Sequence, residues 1–306
     1  MTALLVLEQV LNGLQLGVML FLLAAGLTLI FGIMDMINLA HGSLYMVGAF
    51  VAATVAQWTG SFMLGLLAAL PAAAAVGMAV ETIALRTLYQ RNHLDQVLAT
   101  FGLILFFNEL VRIIWGPRAI FMDVPEALSG TIEIVPGAPY PAFRLAIIAV
   151  GIAVAVFLYF LISRTRIGML IRAGASNREM VGALGVDVKL LFTLVFGLGA
   201  ALAGLAGAMA GPIFAVEVGM GEGVLILTFV VIVIGGIGSV RGALVGALLV
   251  GLVDTLGRAF LPTLLRFVAD PATADGVGAS VASMSIYILM AAVLVWRPRG
   301  LFPAHG

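Results

Sequence analysis

Long, continuous apolar runs separated by short polar linkers dominate the pattern of hydrophobic positions along the chain. A membrane-crossing helix needs about 20 consecutive apolar residues, whereas a transmembrane strand alternates apolar and polar positions over about ten. The runs here do not alternate, so they predict an all-α, polytopic bundle of transmembrane helices in a single domain, residues 1–306. Nine segments fit this description: 8–32, 40–57, 62–84, 97–115, 143–163, 191–211, 222–238, 240–260 and 282–296.

Two of the nine segments, 222–238 and 282–296, are shorter than an unaided crossing requires. One of them is therefore a candidate for a half-helix or a re-entrant piece, and the expected number of full spans is eight or nine. The first segment starts with Glu8 instead of a basic region and has no clear cleavage site. We therefore interpret it as a span and not as a cleaved signal peptide.

The composition supports a membrane protein and narrows its chemistry. The chain is 63% hydrophobic and 10% charged, with a mean hydropathy of +1.21, whereas an ordinary globular domain is about 25% charged. This composition excludes a nucleic-acid binder and a secreted disulfide scaffold. There is no cysteine, and His41, His93 and His305 lie far apart in sequence. Neither a metal-ligand spacing nor a hydrolase motif is found, so we expect no metal, no cofactor and no intramembrane enzyme.

The basic residues are distributed unevenly between the linkers, and this distribution predicts an orientation. Nine of the fifteen Arg and Lys lie in linkers 85–96 and 164–189 and in the C-terminal tail, whereas the linkers of opposite parity hold three. The first set is therefore expected to be cytoplasmic, with the C-terminus inside. Linker 116–142 is then periplasmic. Its five prolines favour a semi-rigid lid or docking surface, or else a plain connector, and Thr131–Val135 is a candidate short strand.

Two polar or glycine-rich stretches, residues 33–43 and 235–242, interrupt the apolar pattern. Non-helical backbone at membrane depth is stable only where protein or a water-filled cavity satisfies its polar groups. A matched pair of interrupted segments is typical of a transport pathway. The alternative is that both are ordinary turns at the cytoplasmic surface. The residues that the first interpretation places beside a substrate pathway are Asn38, His41, Ser43, Gly235, Gly236 and Ser239.

Ionisable residues inside predicted spans are costly unless they are paired or hydrated. Glu109 and Arg112 are three residues apart, and Asp254 and Arg258 are four apart, so each pair shares one face of its helix. Both pairs predict local neutralisation, with a role in the pathway as the alternative. Further ionisable candidates in or near spans are Glu81, Glu217 and Glu222.

A short helix is expected inside linker 164–189. Ser176 and Glu179 have the spacing of a capping box, and Gly185 suits the left-handed residue that ends a helix, which predicts a helix over 177–184. Its apolar residues fall on one face: Met180, Val181 and Leu184. A helix this short is marginal in water. It therefore needs to pack either in the groove of a partner protein or against the inner surface of this protein.

Three motifs, in order along the chain, resemble the integral-membrane permeases of branched-chain amino-acid ABC importers. Gly26–Gly48 is similar to the N-terminal signature of that family, and Gly235–Gly246 is similar to its C-terminal signature. Arg172–Asn177 and Ala183–Gly185 resemble its ATPase-coupling loop, and the tail Arg297–Phe302 also fits. The resemblance covers nearly the whole chain.

The resemblance implies a permease subunit of the inner membrane that acts in a complex. The implied partners are a second homologous permease, two cytoplasmic ATP-binding subunits and a periplasmic substrate-binding protein. The chain has no phosphate-binding loop motif, so ATP hydrolysis is expected on separate subunits. Together with the helix predicted above, the resemblance assigns ATPase coupling to Arg172, Ala173, Ser176, Asn177, Glu179, Met180, Val181, Ala183, Leu184 and Gly185.

The implied cargo is a branched-chain or other small amino acid, moved inward by alternating access. Related permeases carry urea, short amides or small organic acids, and these remain alternatives for this chain. A stand-alone secondary transporter or channel is the alternative from a different functional class. It would depend on mid-span carboxylates and would need no structured cytoplasmic loop.

Overall fold

The computed structural model describes residues 3–267 and 270–303, and His305 lies outside them. Within these ranges the chain is almost entirely helical, with one small antiparallel sheet. The helices are α1 Ala3–Met34, α2 His41–Thr59, α3 Phe62–Val80, α4 His93–Trp115, α5 Ala142–Arg164, α6 Arg166–Ser176, α7 Arg178–Ala183, α8 Val188–Ala210, α9 Met220–Gly235, α10 Val240–Leu265 and α11 Pro271–Trp296. The strands are β1 Thr131–Val135 and β2 Ala138–Pro141.

Every one of the nine apolar segments forms a helix, which confirms the all-α transmembrane architecture. Seven helices in the described part of the chain are long and apolar enough to cross a membrane: α1, α3 with its extension to Leu88, α4, α5, α8, α10 and α11. α2 and α9 are the shorter members of the set, with 19 and 16 residues. The expected number of eight or nine spans is therefore approximate, and it depends on how these two helices are counted.

The last helix is longer than its sequence pattern indicates. α11 begins at Pro271, whose missing N–H costs nothing in the first turn, and the Asp270 side chain accepts a hydrogen bond from the Thr273 N–H at 3.0 Å. The first half of α11 contains Pro271, Thr273 and Asp275 with several Gly and Ser, which lower the local hydropathy. For this reason the apolar run 282–296 by itself is shorter than a membrane span. The structure corrects the expectation of a half-helix or re-entrant piece there, because α11 has 26 residues.

α1 lies at the centre of the bundle. Side chains around its whole circumference are buried, including Phe21, Leu22, Leu23 and Ile30, as expected for a helix that is apolar on all faces. α8, α9, α10 and α5 surround it. The apolar residues of α4, α5 and α11 are largely exposed, which suits helices that face lipid.

The long linker between α4 and α5 contains the sheet. β1 confirms the strand predicted at Thr131–Val135, and it pairs antiparallel with β2 from Thr131↔Pro141 to Val135↔Ala138. β2 was not predicted because it contains prolines, which are tolerated here because a two-stranded hairpin consists of edge strands. The Tyr140 hydroxyl donates to Asn12 Oδ1 at 3.0 Å and so ties the hairpin to α1.

Candidate functional site

The chain reverses into the bundle after α1. Residues 35–38 are not helical, and Asp35 has a φ of +51°, the left-handed region that Asp tolerates better than most residues. α2 then starts at His41, whose ring lies against Gly26: a Cβ added to Gly26 would be 3.0 Å from His41 Nε2. Gly26 precedes the end of α1 by eight residues, or about 12 Å of helix. α2 therefore begins well inside the bundle.

This reversal places polar side chains in the protein interior. Asn38 and His41 are completely buried. Asn38 Oδ1 accepts a hydrogen bond from the Ala40 N–H at 3.1 Å and stabilises the turn. Among the described residues, no hydrogen-bond partner is found for Asn38 Nδ2 or for the Thr28 hydroxyl. The His41 ring can use at most one of its two nitrogens, in a hydrogen bond with the Leu23 backbone, and the other nitrogen has no partner there. Unpaired buried polar groups are unusual and costly, so they mark a position where water or a solute would be stabilised.

The first turns of α2 and α9 are in backbone contact. A Cβ on Gly42 would lie 2.6 Å from the carbonyl oxygen of Gly221, and the reverse approach is closer still. Neither helix has a side-chain N-cap: α2 follows Ala40, and α9 follows Gly219 with a φ of +85°. Two short helices therefore bring their uncapped, partially positive ends together inside the bundle.

Ser43 lies beside a polar pair that the sequence did not link to it. The Asn108 side chain donates to Glu222 Oε1 at 2.7 Å, joining α4 to the first turn of α9. Both residues line a narrow crevice together with Ser43. The sequence pattern marks Glu222 only as an ionisable candidate and does not indicate Asn108, since nothing local distinguishes this amide from other polar side chains.

The second interrupted motif forms the junction between α9 and α10. Gly235 packs against Gly242 of α10, and Gly236 adopts a φ of +107° against Phe302. Ser239 caps α10 by accepting from the Gly242 N–H at 3.1 Å. The C-terminal tail completes the junction, because the Phe302 N–H donates to the Gly235 carbonyl at 2.8 Å.

α1 contacts both interrupted motifs at different depths. His41 lies against Gly26, whereas a Cβ added to Gly32, near the end of α1, would be 3.2 Å from Gly238. The six residues predicted to line a pathway therefore fall into two groups along α1. Asn38, His41 and Ser43 lie within the bundle, and Gly235, Gly236 and Ser239 lie at its end.

The linker 164–189 contains two helices, not one. α6 precedes the expected helix and ends at Ser176, so Ser176 is not the N-cap of the following helix and the predicted capping box is wrong. Asn177 is the N-cap instead: its Oδ1 accepts from the Met180 N–H at 2.9 Å. α7 then covers Arg178–Ala183, close to the predicted 177–184. Gly185 has the expected left-handed conformation, with a φ of +87°.

The apolar face predicted for α7 is divided between two environments. Val181 is buried against the protein, whereas Met180 is 58% exposed and Leu184 is 77% exposed. A cavity of about 450 Å³ separates α7 from the end of α1, with Asp35 and Arg178 among its lining residues. α7 is therefore a capped surface element that presents apolar side chains and has space behind it.

Of the remaining residues assigned to ATPase coupling, Arg172 and Ala173 belong to α6, and Ala183 closes α7. Glu179 is exposed in the first turn of α7, where a negative charge is favourable.

A buried carboxylate connects the linker that follows α3 to α8. Glu81 is completely buried at the start of a single π-helical turn that extends α3. Its oxygens accept four hydrogen bonds: Arg86 Nε at 3.2 Å, Arg86 Nη2 at 3.0 Å, the Tyr89 hydroxyl at 2.7 Å and the Thr193 hydroxyl at 2.7 Å. Burial, followed by the hydrogen bond to Glu81, raises the pKa of the Tyr89 phenol. Thr193 lies on α8, so this network joins the end of α3 to the helix that follows α7.

The two charged pairs expected on helix faces are confirmed. Arg112 and Glu109 form an ion pair at 2.6 Å on α4, with both side chains exposed. Arg258 and Asp254 pair at 2.9 Å on α10, where Asp254 is largely buried. Each pair neutralises itself within its own helix, which is the role expected for such spacings.

Comparison with known proteins gives one consistent result. The family model for the permease component of branched-chain amino acid transport systems matches residues 9–295. The chain is 32% identical to the high-affinity branched-chain amino acid transport system permease protein BraD of Pseudomonas aeruginosa, over 96% of this chain and 95% of the relative. It is 31% identical to the corresponding protein LivH of Escherichia coli K12, over 84% and 87%.

A more distant relative is archaeal. The chain is 27% identical to the probable branched-chain amino acid transport permease protein LivH of Methanocaldococcus jannaschii, over 92% of this chain and 88% of the relative. No solved structure matches the chain.

Proposed function

This chain belongs to the family of permease components of branched-chain amino acid transport systems, and from that premise we propose how it moves its cargo. It is a multi-pass protein of the inner membrane and a permease subunit of an ABC-type importer. Its cargo is a branched-chain or other small amino acid, which passes from periplasm to cytoplasm by alternating access.

The meeting of α2 and α9 inside the bundle is the observation that supports this proposal most directly. Two interrupted helices place unpartnered polar groups of Asn38 and His41 beside uncapped helix ends. A positive helix end attracts a carboxylate, and half-helices are used in this way in other transporters. The amino-acid carboxylate would therefore be stabilised at the start of α2, near Asn38 and His41, when the bundle opens. Glu222, in the first turn of α9 beside Ser43, would repel that carboxylate and attract the ammonium group instead.

The second motif is proposed to act as the inner hinge of the same pathway. Gly235 and Gly236 allow α9 to approach both α10 and the tail closely, and Ser239 holds the first turn of α10. This junction also contacts the end of α1. A displacement of α9 would therefore move the cytoplasmic end of the pathway.

α7 is proposed to be the helix to which an ATP-binding subunit binds. Its exposed Met180 and Leu184 would fill an apolar groove, and Asn177 and Gly185 fix the two ends of the helix. ATP-driven closure of the partner would displace α7, and with it α8 and, through α6, α5. The network around Glu81 would carry the same displacement into α3.

The proposed assembly contains this chain, a second homologous permease, two cytoplasmic ATP-binding subunits and a periplasmic substrate-binding protein. ATP hydrolysis would then take place on those separate subunits. The positive-inside distribution supports a cytoplasmic C-terminus, cytoplasmic α6 and α7, and a periplasmic linker 116–142. The names of the relatives favour branched-chain amino acids over urea, short amides or small organic acids.

Reconstitution tests the proposal against a stand-alone transporter. We expect the purified subunits, assembled in liposomes with the binding protein and ATP, to accumulate radiolabelled leucine. The same liposomes without ATP, and liposomes that contain this chain alone, should accumulate none. Unlabelled isoleucine and valine should compete with leucine, whereas urea and acetamide should not. Concentrative uptake by the chain alone would contradict the proposal.

A further inference from the structure

A cavity of about 740 Å³ opens between α1, α5, α6 and the start of α10. Its volume lies in the range of roughly 300–1,000 Å³ that is typical of sites for small ligands. Most of its wall is apolar, with Phe21 and Leu29 of α1, Ile162 of α5 and Leu244 of α10 among the lining residues. This wall suits a hydrocarbon chain and offers little to a soluble, zwitterionic solute.

One end of the cavity is positively charged. Arg172 of α6 and Arg241 in the first turn of α10 line it, together with Ser176 and Ser239. No Asp or Glu is among the lining residues, and neither arginine forms an ion pair with any acidic side chain in the ranges that the structure describes. Arg241 lies over the ring of Tyr159, with 5.8 Å between its Cζ and the ring centroid.

The exposed side chains of α6 indicate how deep this charged end lies in the bilayer. Ile167 and Met169 of this short helix are 49% and 55% exposed, although both are apolar, and Arg166 is exposed beside them. A helix with exposed apolar and basic side chains is typical of one that lies in the plane of the membrane interface. The guanidinium groups of Arg172 and Arg241 are therefore expected at the depth of phospholipid headgroups.

We propose that this cavity binds one anionic phospholipid of the cytoplasmic leaflet, with its phosphate between Arg172 and Arg241. Basic pockets between transmembrane helices on the cytoplasmic side are a recurring form of lipid recognition. The serine hydroxyls at the charged end can donate to phosphate oxygens, and an acyl chain would follow the apolar wall between α1 and α5. The site would hold α5, α6 and α10 together, independently of which solute the permease carries.

Native mass spectrometry of the purified full-length chain, with its copurifying subunits, tests the site. Delipidated protein is titrated with phosphatidylglycerol or phosphatidylcholine. We expect one phosphatidylglycerol to be retained at collision energies that remove phosphatidylcholine. Arg241→Gln should weaken the retained binding by roughly fivefold, the contribution of one basic residue near a lipid phosphate. Arg241→Lys keeps the charge and should keep most of the binding.

Arg91→Gln is the matched control, because Arg91 is an exposed arginine in a predicted cytoplasmic linker and does not line the cavity. It should bind phosphatidylglycerol like the wild type. Equal retention of phosphatidylcholine, or unchanged binding by Arg241→Gln, would overturn the proposal. So would full displacement by glycerol 3-phosphate, which would indicate a site for soluble phosphate.

A photoactivatable phosphatidylglycerol analogue gives a second measurement on the wild-type protein. It should label peptides from α1, α5, α6 or the start of α10. Labelling confined to other helices would contradict the proposed lipid site. So would a second permease subunit found to occupy the cavity in place of lipid. Both outcomes are decisive even if the arginine variants fold poorly.

Discussion

Buried polar side chains in this protein fall into two groups with opposite expected roles. Glu81 is fully satisfied by four hydrogen bonds, so it stabilises the junction of α3 and α8. His41 and Asn38 are equally buried, but each retains at least one group without a partner in the described ranges. Satisfied networks rigidify a structure, whereas unsatisfied groups cost free energy and are retained where function requires them.

We therefore expect Asn38→Ala and His41→Ala each to lower leucine uptake by roughly tenfold or more, which corresponds to the loss of one interaction of about 1.4 kcal/mol. The assay is ATP-dependent uptake into liposomes, with thermal unfolding measured in parallel. Thr100→Val is the control, since Thr100 is buried but bonded to the Gln96 carbonyl at 2.8 Å. Its free energy of unfolding should fall by about 1 kcal/mol, and its leucine uptake should equal that of the wild type. Unchanged uptake in both test variants would remove these residues from the pathway.

At the scale of elements, α6 and α7 show how a neighbouring helix changes a local signal. Ser176 and Glu179 have the spacing of a capping box, but α6 extends through Ser176, and its residues there are already helical. The chain becomes extended only at Asn177, with φ of −156° and ψ of 95°, so Asn177 provides the cap. The start of α7 is therefore decided by where the preceding helix ends.

The exposed end of α7 leads to a prediction about coupling. Leu184→Arg places a charge where an apolar groove is expected, so the ATP-binding subunits should associate at least about 30-fold more weakly, as for a loss of 2 kcal/mol at an interface hot spot. Substrate-stimulated ATPase activity should then be abolished. Copurification and ATPase assays measure both effects.

Leu94→Arg is the control for this experiment. Leu94 lies in the first turn of α4 and is 76% exposed, close to the 77% of Leu184. It should retain both assembly and ATPase stimulation. Full activity of Leu184→Arg, or equal loss in both variants, would refute a specific coupling role for α7.

At the scale of the whole molecule, the charge-derived orientation assigns a direction to each helix. α1, α3, α5, α9 and α11 would run inward, and α2, α4, α8 and α10 outward, which places the hairpin and the cytoplasmic helices at opposite faces. Arg172 of α6, Arg241 of α10 and the exposed apolar surface of α5 would then lie where headgroups and acyl chains are found.

The absence of cysteine from the sequence makes this orientation simple to test. Ile132→Cys places a single thiol on the exposed hairpin, and Gln90→Cys places one in the turn before α4. A membrane-impermeant maleimide should label Ile132→Cys in intact spheroplasts and Gln90→Cys only after permeabilisation. The reverse pattern would invert the proposed topology.

The amino-acid sequence alone was sufficient for the family, the helical architecture and most helix positions. Lipid offers no hydrogen bonds, so a spanning segment must satisfy its backbone internally, and its length and apolar character are visible in a local window. The strand at Thr131–Val135 and the left-handed Gly185 were predictable for the same reason, because each depends on adjacent residues. The predicted helix 177–184 agrees with α7 to within a residue at each end.

Only the tertiary structure determined which of these local features meet. Asn108 and Glu222 are 114 residues apart, and their hydrogen bond beside Ser43 depends on how α4, α9 and α2 pack. The contact of Gly42 with Gly221, the depth of His41 and the pairing of the tail with the end of α9 depend on packing in the same way. Contacts between distant segments arise from the shapes of whole helices, and no short stretch of sequence contains that information.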